Sequence, residues 1–234
     1  MNRTLEITTR IGCTNNCSYC PQDKLLRTYK GNRLMSMGQF ASILENTPKD
    51  IQIDFAGFCE PFLNPFASWM MSHAIENGYK TFLLTTLSGF NHNDAETLKG
   101  CQFDTILVNE YEGVNKSEQD EKLKQLISSV KFDKIAQFPL VKEFRFSRAS
   151  NLWDVERKTG KIECGWDNTF SRNVVLPNGD TYICCMDYSL KHYIGNLLTT
   201  NYENLNRQSI IDLCNQQDSD LICRKCEIAT VNKK

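Results

Sequence analysis

The chain lacks charge imbalance, long apolar runs and internal repeats, and each absence excludes something. Lysine plus arginine total 27 and aspartate plus glutamate 28, a net charge of −1, with no strongly basic half. A protein that tracks nucleic-acid phosphates carries a basic face, so no nucleic-acid partner is expected. No apolar run reaches the roughly 18 residues that a membrane span needs. The opening MNRTLEITTRIG has no apolar core of the signal-peptide kind. These absences predict a cytoplasmic protein with no membrane partner. No repeat period or low-complexity tract suggests a solenoid or a tail. With 41% hydrophobic residues in 234, the chain can bury a real core, as one large domain or one domain with an appendage.

What is abundant is cysteine, eleven in all. In a reducing compartment, clustered cysteines read as metal ligands or redox groups rather than disulfides. Two sets stand out. The first is CTNNCSYC at 13–20, spaced Cys13-x3-Cys17-x2-Cys20. Three thiolates on one loop can hold three irons of a cubane [4Fe-4S] cluster. The fourth iron is then open, and an open metal position is where substrate or cofactor binds. The other reading is a zinc site completed by a distant residue. The second set is Cys164, Gly179-x4-Cys184 and Cys223-x2-Cys226. Four ligands close a cubane or a tetrahedral zinc. If the segment is extended, Cys185 points away from its neighbour Cys184 and is buried or lines a substrate space. Cys59, Cys101 and Cys214 read first as small buried residues.

The first 150 residues alternate strand-like and helical stretches. Strands are expected at 4–12, 51–57, 80–87 and 104–111, with further candidates at 134–138 and 141–147. Helices are expected from the capping box Ser36-x-x-Gln39 onward, at about 66–78, and at 117–130 with Leu123, Leu126 and Ile127 on one face. This order implies βαβ units and a parallel sheet, an α/β partial (β/α) barrel of five or six parallel strands. Sites in such sheets form at the strands' C-terminal ends, where the cysteine loop sits. After about 150–160 turn signals take over, and Pro177-Asn-Gly predicts a hairpin between 173–176 and 181–185. The expected division is 1–155 and 156–234.

Cys13-x3-Cys17-x2-Cys20, with Tyr19 before the last cysteine, resembles the signature of the radical S-adenosylmethionine (SAM) superfamily. FAGFCEPFLNP (55–65) is similar to that family's Gly-Gly-Glu-Pro segment, with Ala56-Gly57 at its start and Cys59 where glycine is common. TTLSG (85–89) resembles its Thr-Asn-Gly turn, and Asn109 ends the fourth strand where a polar residue meets the ribose. The stretch 176–197 resembles the auxiliary-cluster tail of such enzymes, in the short "twitch" form related to SPASM domains.

The resemblance implies two [4Fe-4S] clusters and SAM as cofactors and a flavodoxin or ferredoxin as reductant. It implies cluster ligands Cys13, Cys17, Cys20, Cys164, Cys184, Cys223 and Cys226. SAM contacts fall on Tyr19, Gly57 beside Ala56, Glu60 (to the SAM ammonium), Thr86, Ser88 and Asn109. Catalytic candidates are Arg148, which would polarise a substrate hydroxyl, and Cys59, a hydrogen-atom donor. Glu163 and Asp187 are expected to support the ligands, and Trp153 and Trp166 to pack around the tail. A compact barrel plus twitch is similar to the superfamily's aminocyclitol dehydrogenases, which implies oxidation of a secondary alcohol in a small sugar or cyclitol. The alternatives are an epimerase or peptide-modifying enzyme that uses a cysteine hydrogen donor, and a zinc-stabilised binding module.

Overall fold

The computed structural model describes residues 3–139, 146–166 and 169–231. The first strand, β1 (Thr4–Ile7), leads through the cysteine loop into α1 (Gln22–Thr28) and α2 (Met37–Glu45). The chain continues through β2 (Gln52–Phe55), α3 (Ala67–Glu76), β3 (Thr81–Thr85), α4 (His92–Thr97), β4 (Gln102–Glu110), α5 (Lys116–Ser129) and β5 (Lys131–Pro139). The tail holds β6 (Ile162–Cys164), β7 (Arg172–Val175), β8 (Asp180–Tyr182), β9 (Tyr193–Asn196), α6 (Arg207–Asn215) and β10 (Ala229–Val231).

The alternation seen in the sequence produces the parallel half-barrel. One eight-stranded sheet runs β5-β4-β3-β2-β1-β7-β8-β9, and β6 with β10 forms a separate antiparallel pair. Strands β1 to β5 pair in parallel. The sixth parallel strand is β7, which pairs with the free side of β1. The expected hairpin is therefore part of the barrel sheet: β7 runs parallel to β1 and antiparallel to β8. Of the strand candidate 141–147, residues 141–145 lie outside the described residues, and Phe146 and Ser147 are not in a strand.

Period-two alternation decides what each strand contributes. Leu5, Ile7, Ile53, Phe55, Leu83, Ile106 and Val108 are fully buried in the main core. Glu6, Asp54, Phe82, Leu84 and Leu107 instead line the cavity on the opposite, inner face. The capping box forms as expected, with Ser36 accepting from the Gln39 amide at 3.2 Å and Gln39 Oε1 accepting from the Ser36 amide at 2.9 Å. On α5 the expected apolar face is narrower: Leu126 is buried but Ile127 is 41% exposed. A buried Gln119 takes part of that face, donating to the carbonyls of Thr86 and Asn109 at 2.9 Å each. Helices α1 and α4 are not among the expected helices. Each is short, seven and six residues, and has too few turns to show a helical period.

Candidate active site

The loop after β1 carries Cys13, Cys17 and Cys20, and all three open onto one cavity of about 350 Å³ at the C-terminal ends of the strands. A single polar network ties this loop to the strand ends. Asn15 donates to Thr86 Oγ1 at 2.9 Å and accepts from Ser88 Oγ at 2.6 Å. Thr86 in turn donates to Glu60 through its hydroxyl at 2.7 Å and its amide at 2.6 Å. Thr85 Oγ1 donates to the other Glu60 oxygen at 2.6 Å, and the Phe62 amide does so at 3.4 Å. A carboxylate offers about four acceptor positions, and Glu60, 4% exposed, has all four engaged. Burial pushes its pKa up, and the bonds from Thr85, Thr86 and Phe62 pull it back. Glu60 thus lines the cavity as the organiser of the 60–64 and 85–89 turns.

Two glycines make this packing possible. Gly57 adopts φ +69°, and a Cβ there would collide with Thr8 Oγ1. Gly89 approaches the 60–64 turn so closely that a Cβ would overlap the Phe62 carbonyl and lie 2.7 Å from the Leu63 nitrogen.

The other expected contacts also line the cavity: Tyr19, Ala56, Gly57, Cys59 and Asn109. Ser88 does not line it, and acts through Thr86 and Asn15. The Tyr19 hydroxyl accepts from the Glu112 amide at 3.4 Å. Cys59 lies 3.7 Å from Thr9 Oγ1, on the side of Cys13 and Glu60, and burial pushes its thiol up to about 12. It therefore keeps its hydrogen at neutral pH.

Arg148 enters the cavity from the opposite side on an unusual turn. Arg148, Ala149 and Ser150 all have positive φ, near +54° to +60°. Left-handed backbone costs a non-glycine residue roughly 1–2 kcal/mol, and such strain persists only where surroundings over-determine it. Here Asn151 pins the turn by donating to the Met186 carbonyl at 2.7 Å and accepting from Lys24 at 2.7 Å. Cys20, Cys185, Tyr188 and Glu6 are the neighbours that act on the Arg148 charge.

Sequence reasoning missed the inner wall. Glu6 and Asp54 face each other in register on β1 and β2, and both line the cavity with Arg172. Burial pushes Asp54 up to about 7, with Glu6 adding to the rise and Gln52 and Arg172 opposing it. Burial likewise raises Glu6, against a hydrogen bond with Cys185. An acidic residue inside each apolar strand was the available signal. Tyr188 was missed too; its hydroxyl lies 3.9 Å from Cys20 Sγ, and its ring meets Phe58 at 4.7 Å.

The second cysteine set converges elsewhere. Cys164, Cys184, Cys223 and Cys226 line one largely apolar pocket with Trp166, Phe170 and Met186 among its walls. Burial, followed by the neighbouring thiols, pushes Cys184 and Cys223 well up. Thiols so placed must lose their protons on binding metal. Among the described residues, no group of three His, Cys, Asp or Glu side chains is arranged to hold a single ion. The four cysteines line the walls of one pocket. Cys185 does turn the other way, into the large cavity. Cys101 sits against Ser72, and Cys214 is buried on α6. Asp187 is fully buried and accepts from the amides of Lys191 and His192, which shapes the loop after Cys184. Glu163 lies in β6 beside Cys164, Trp153 is exposed, and Trp166 stacks under Arg172.

Residues 164–227 match the SPASM iron-sulfur cluster-binding domain. No curated protein matches the chain. Among solved structures, BtrN in complex with AdoMet and 2-DOIA superposes with a TM-score of 0.72 at 16% identity, covering 97% of this chain and 93% of that one. The anSMEcpe structure with bound AdoMet gives 0.61 at 14%, covering 96% and 83%. Streptococcus suis SuiB bound to the precursor peptide SuiA gives 0.63 at 10%, covering 97% and 70%. At these identities the likeness establishes a shared fold.

Proposed function

We propose that the chain is a radical SAM enzyme that oxidises a secondary alcohol of a sugar or aminocyclitol in a reducing cytoplasm, with a flavodoxin or ferredoxin as electron source. One observation carries the reading. Three thiols open onto a charged cavity, and four others line a second pocket, with adjacent Cys184 and Cys185 each facing one of the two spaces. The donor sets fit two iron-sulfur clusters: three ligands leave an iron open for SAM, and four close a cubane. When bound, SAM and its cluster supply a 5′-deoxyadenosyl radical.

The chain's own residues do the rest. Glu60, Thr86 and Asn15 hold the cluster loop against the β3 turn, and Tyr19, Gly57 and Asn109 complete the SAM side of the cavity. Oxidation removes a hydrogen atom from the substrate carbon, then one electron and the hydroxyl proton. Arg148 faces the cavity from the tail side as the cation that polarises the hydroxyl oxygen. Arg172 and the Cys184–Cys185 peptide form the wall between this cavity and the four-thiol pocket, where a cluster held by Cys164, Cys184, Cys223 and Cys226 would accept that electron. The charged inner wall of Glu6, Asp54, Arg148 and Arg172 suits a small molecule rich in hydrogen-bonding groups.

A second reading, epimerisation or peptide modification with a thiol hydrogen donor, is favoured by Cys185. Its thiol faces the cavity beside Glu6, and burial holds it protonated. Anaerobic turnover of a panel of aminocyclitols and sugars separates the two. Oxidation gives one ketone per 5′-deoxyadenosine, whereas epimerisation gives no ketone and incorporates solvent deuterium. Turnover of peptides alone would overturn the small-molecule reading.

A further inference from the structure

Among the described residues, Arg172 is the one charged side chain that lines both spaces, the large cavity and the four-cysteine pocket. Its placement follows from the sheet. β7 pairs with β1 so that Arg172 stands opposite Thr4, on the strand face shared with Glu6. Its guanidinium lies 5.5 Å from the ring centroid of Trp166, which itself lines the four-cysteine pocket two residues after Cys164. Stacking on an aromatic face fixes a guanidinium well. On the cavity side, Glu6 and Asp54 both feel its charge. Among the described residues no carboxylate is within ion-pair distance of it.

We propose that Arg172 is a positioning residue that couples the two spaces electrostatically, raising the reduction potential of a cluster held by Cys164, Cys184, Cys223 and Cys226 and transmitting to it the charge of whatever occupies the cavity. A four-thiolate cluster is anionic and gains a further negative charge on reduction, so a fixed cation in its wall favours the reduced form. The carboxylates of Glu6 and Asp54 act on the same wall with the opposite sign. A substrate group that pairs with them leaves the Arg172 charge more fully felt, and electron acceptance becomes easier when the cavity is filled. The inference rests on the reading of the tail as cluster-bearing.

The test uses the full chain with Cys13, Cys17 and Cys20 replaced by alanine, so that only the tail cluster remains after anaerobic reconstitution. Its potential is followed by EPR during redox titration at pH 8.5, where Asp54 is ionised. R172M should lower the potential enough to change the oxidised-to-reduced ratio at least threefold at a fixed setting, and R172K should restore most of it. D54N should move the potential the other way. If R172M fails to hold iron, the upward shift in D54N reads the coupling by itself. An unmoved potential in R172M and D54N, or shifts of the same sign in both, would overturn the inference while leaving the cluster assignment intact. Absence of any cluster in the parent would instead refute the reading beneath it.

Discussion

Gly89→Ala tests how tightly the candidate site is built. The added Cβ would overlap the Phe62 carbonyl and lie 2.7 Å from the Leu63 nitrogen, where ordinary contact begins near 3.4 Å. Both neighbours are backbone, so no side chain can swing aside. The 85–89 turn must retreat by at least about 0.7 Å from the 60–64 turn. The bonds that join these turns, Thr86 to Glu60 at 2.6 and 2.7 Å and Thr85 to Glu60 at 2.6 Å, then stretch toward the limit of hydrogen bonding. Bonds to a charged group are worth about 1.5–3 kcal/mol each, and partial relaxation recovers some of that. Weakening two or three of them gives a net loss of about 2–4 kcal/mol. Displacement of catalytic geometry on this scale costs on the order of 100-fold in rate. Urea denaturation and the rate of SAM cleavage by the reconstituted enzyme measure the two effects. Gly38→Ala is the control, since Gly38 lies inside α2 with nothing within 4 Å of an added Cβ. It should be neutral or stabilise by up to about 1 kcal/mol. A Gly89→Ala protein within about 0.5 kcal/mol and threefold of the parent would refute the packing argument.

Further outcomes follow from the same geometry. Replacing Cys164, Cys184, Cys223 and Cys226 with alanine should leave about four irons per chain of about eight and retain SAM cleavage, as iron analysis and 5′-deoxyadenosine assay would report. Asn15→Ala cuts the bonds to Thr86 and Ser88 and should cost about 1 kcal/mol with a clear drop in SAM cleavage, read by urea melts and product assay. Asp54 has a folded-state pKa raised to about 7, so the native state holds a proton that the unfolded chain has released above about 3.9. Its contribution to stability is full below that lower value and is lost as pH rises through about 7. The urea midpoint should therefore fall more between pH 6 and 8 in the parent than in Asp54→Asn.

Much of this was legible in the sequence, for identifiable reasons. The parallel sheet follows from apolar runs spaced by helical stretches, and the α2 start from Ser36 and Gln39, because both signals are local. The first cysteine set is legible because Cys13, Cys17 and Cys20 lie on one loop, whereas the second is gathered from three segments, at 164, 184 and 223–226, and only its Cys223-x2-Cys226 spacing is local. An extended segment predicts the divergence of Cys184 and Cys185, but β8 ends at Tyr182, and the two thiols part at a turn in which the Asp187 amide donates to the Cys184 carbonyl at 3.1 Å. What was not legible depends on distant partners. That β7 joins the barrel beside β1 is a pairing across 168 residues of chain, from Thr4 to Arg172. The Glu6–Asp54 register, and the place of Arg172 between two spaces, exist only once that pairing is made. Asn15 and Gln119 look like ordinary polar residues until their partners at Thr86, Ser88 and Asn109 are brought beside them.

The central claim is that Cys13, Cys17 and Cys20 form the open site at which SAM is cleaved. Its most direct test is the yield of 5′-deoxyadenosine from SAM and dithionite by the anaerobically reconstituted protein, beside the variant with these three cysteines replaced by alanine. The account predicts 5′-deoxyadenosine from the parent and none above background from the variant, which keeps only its tail cluster. Undiminished cleavage in the variant, or none in a parent that holds both clusters, would contradict it.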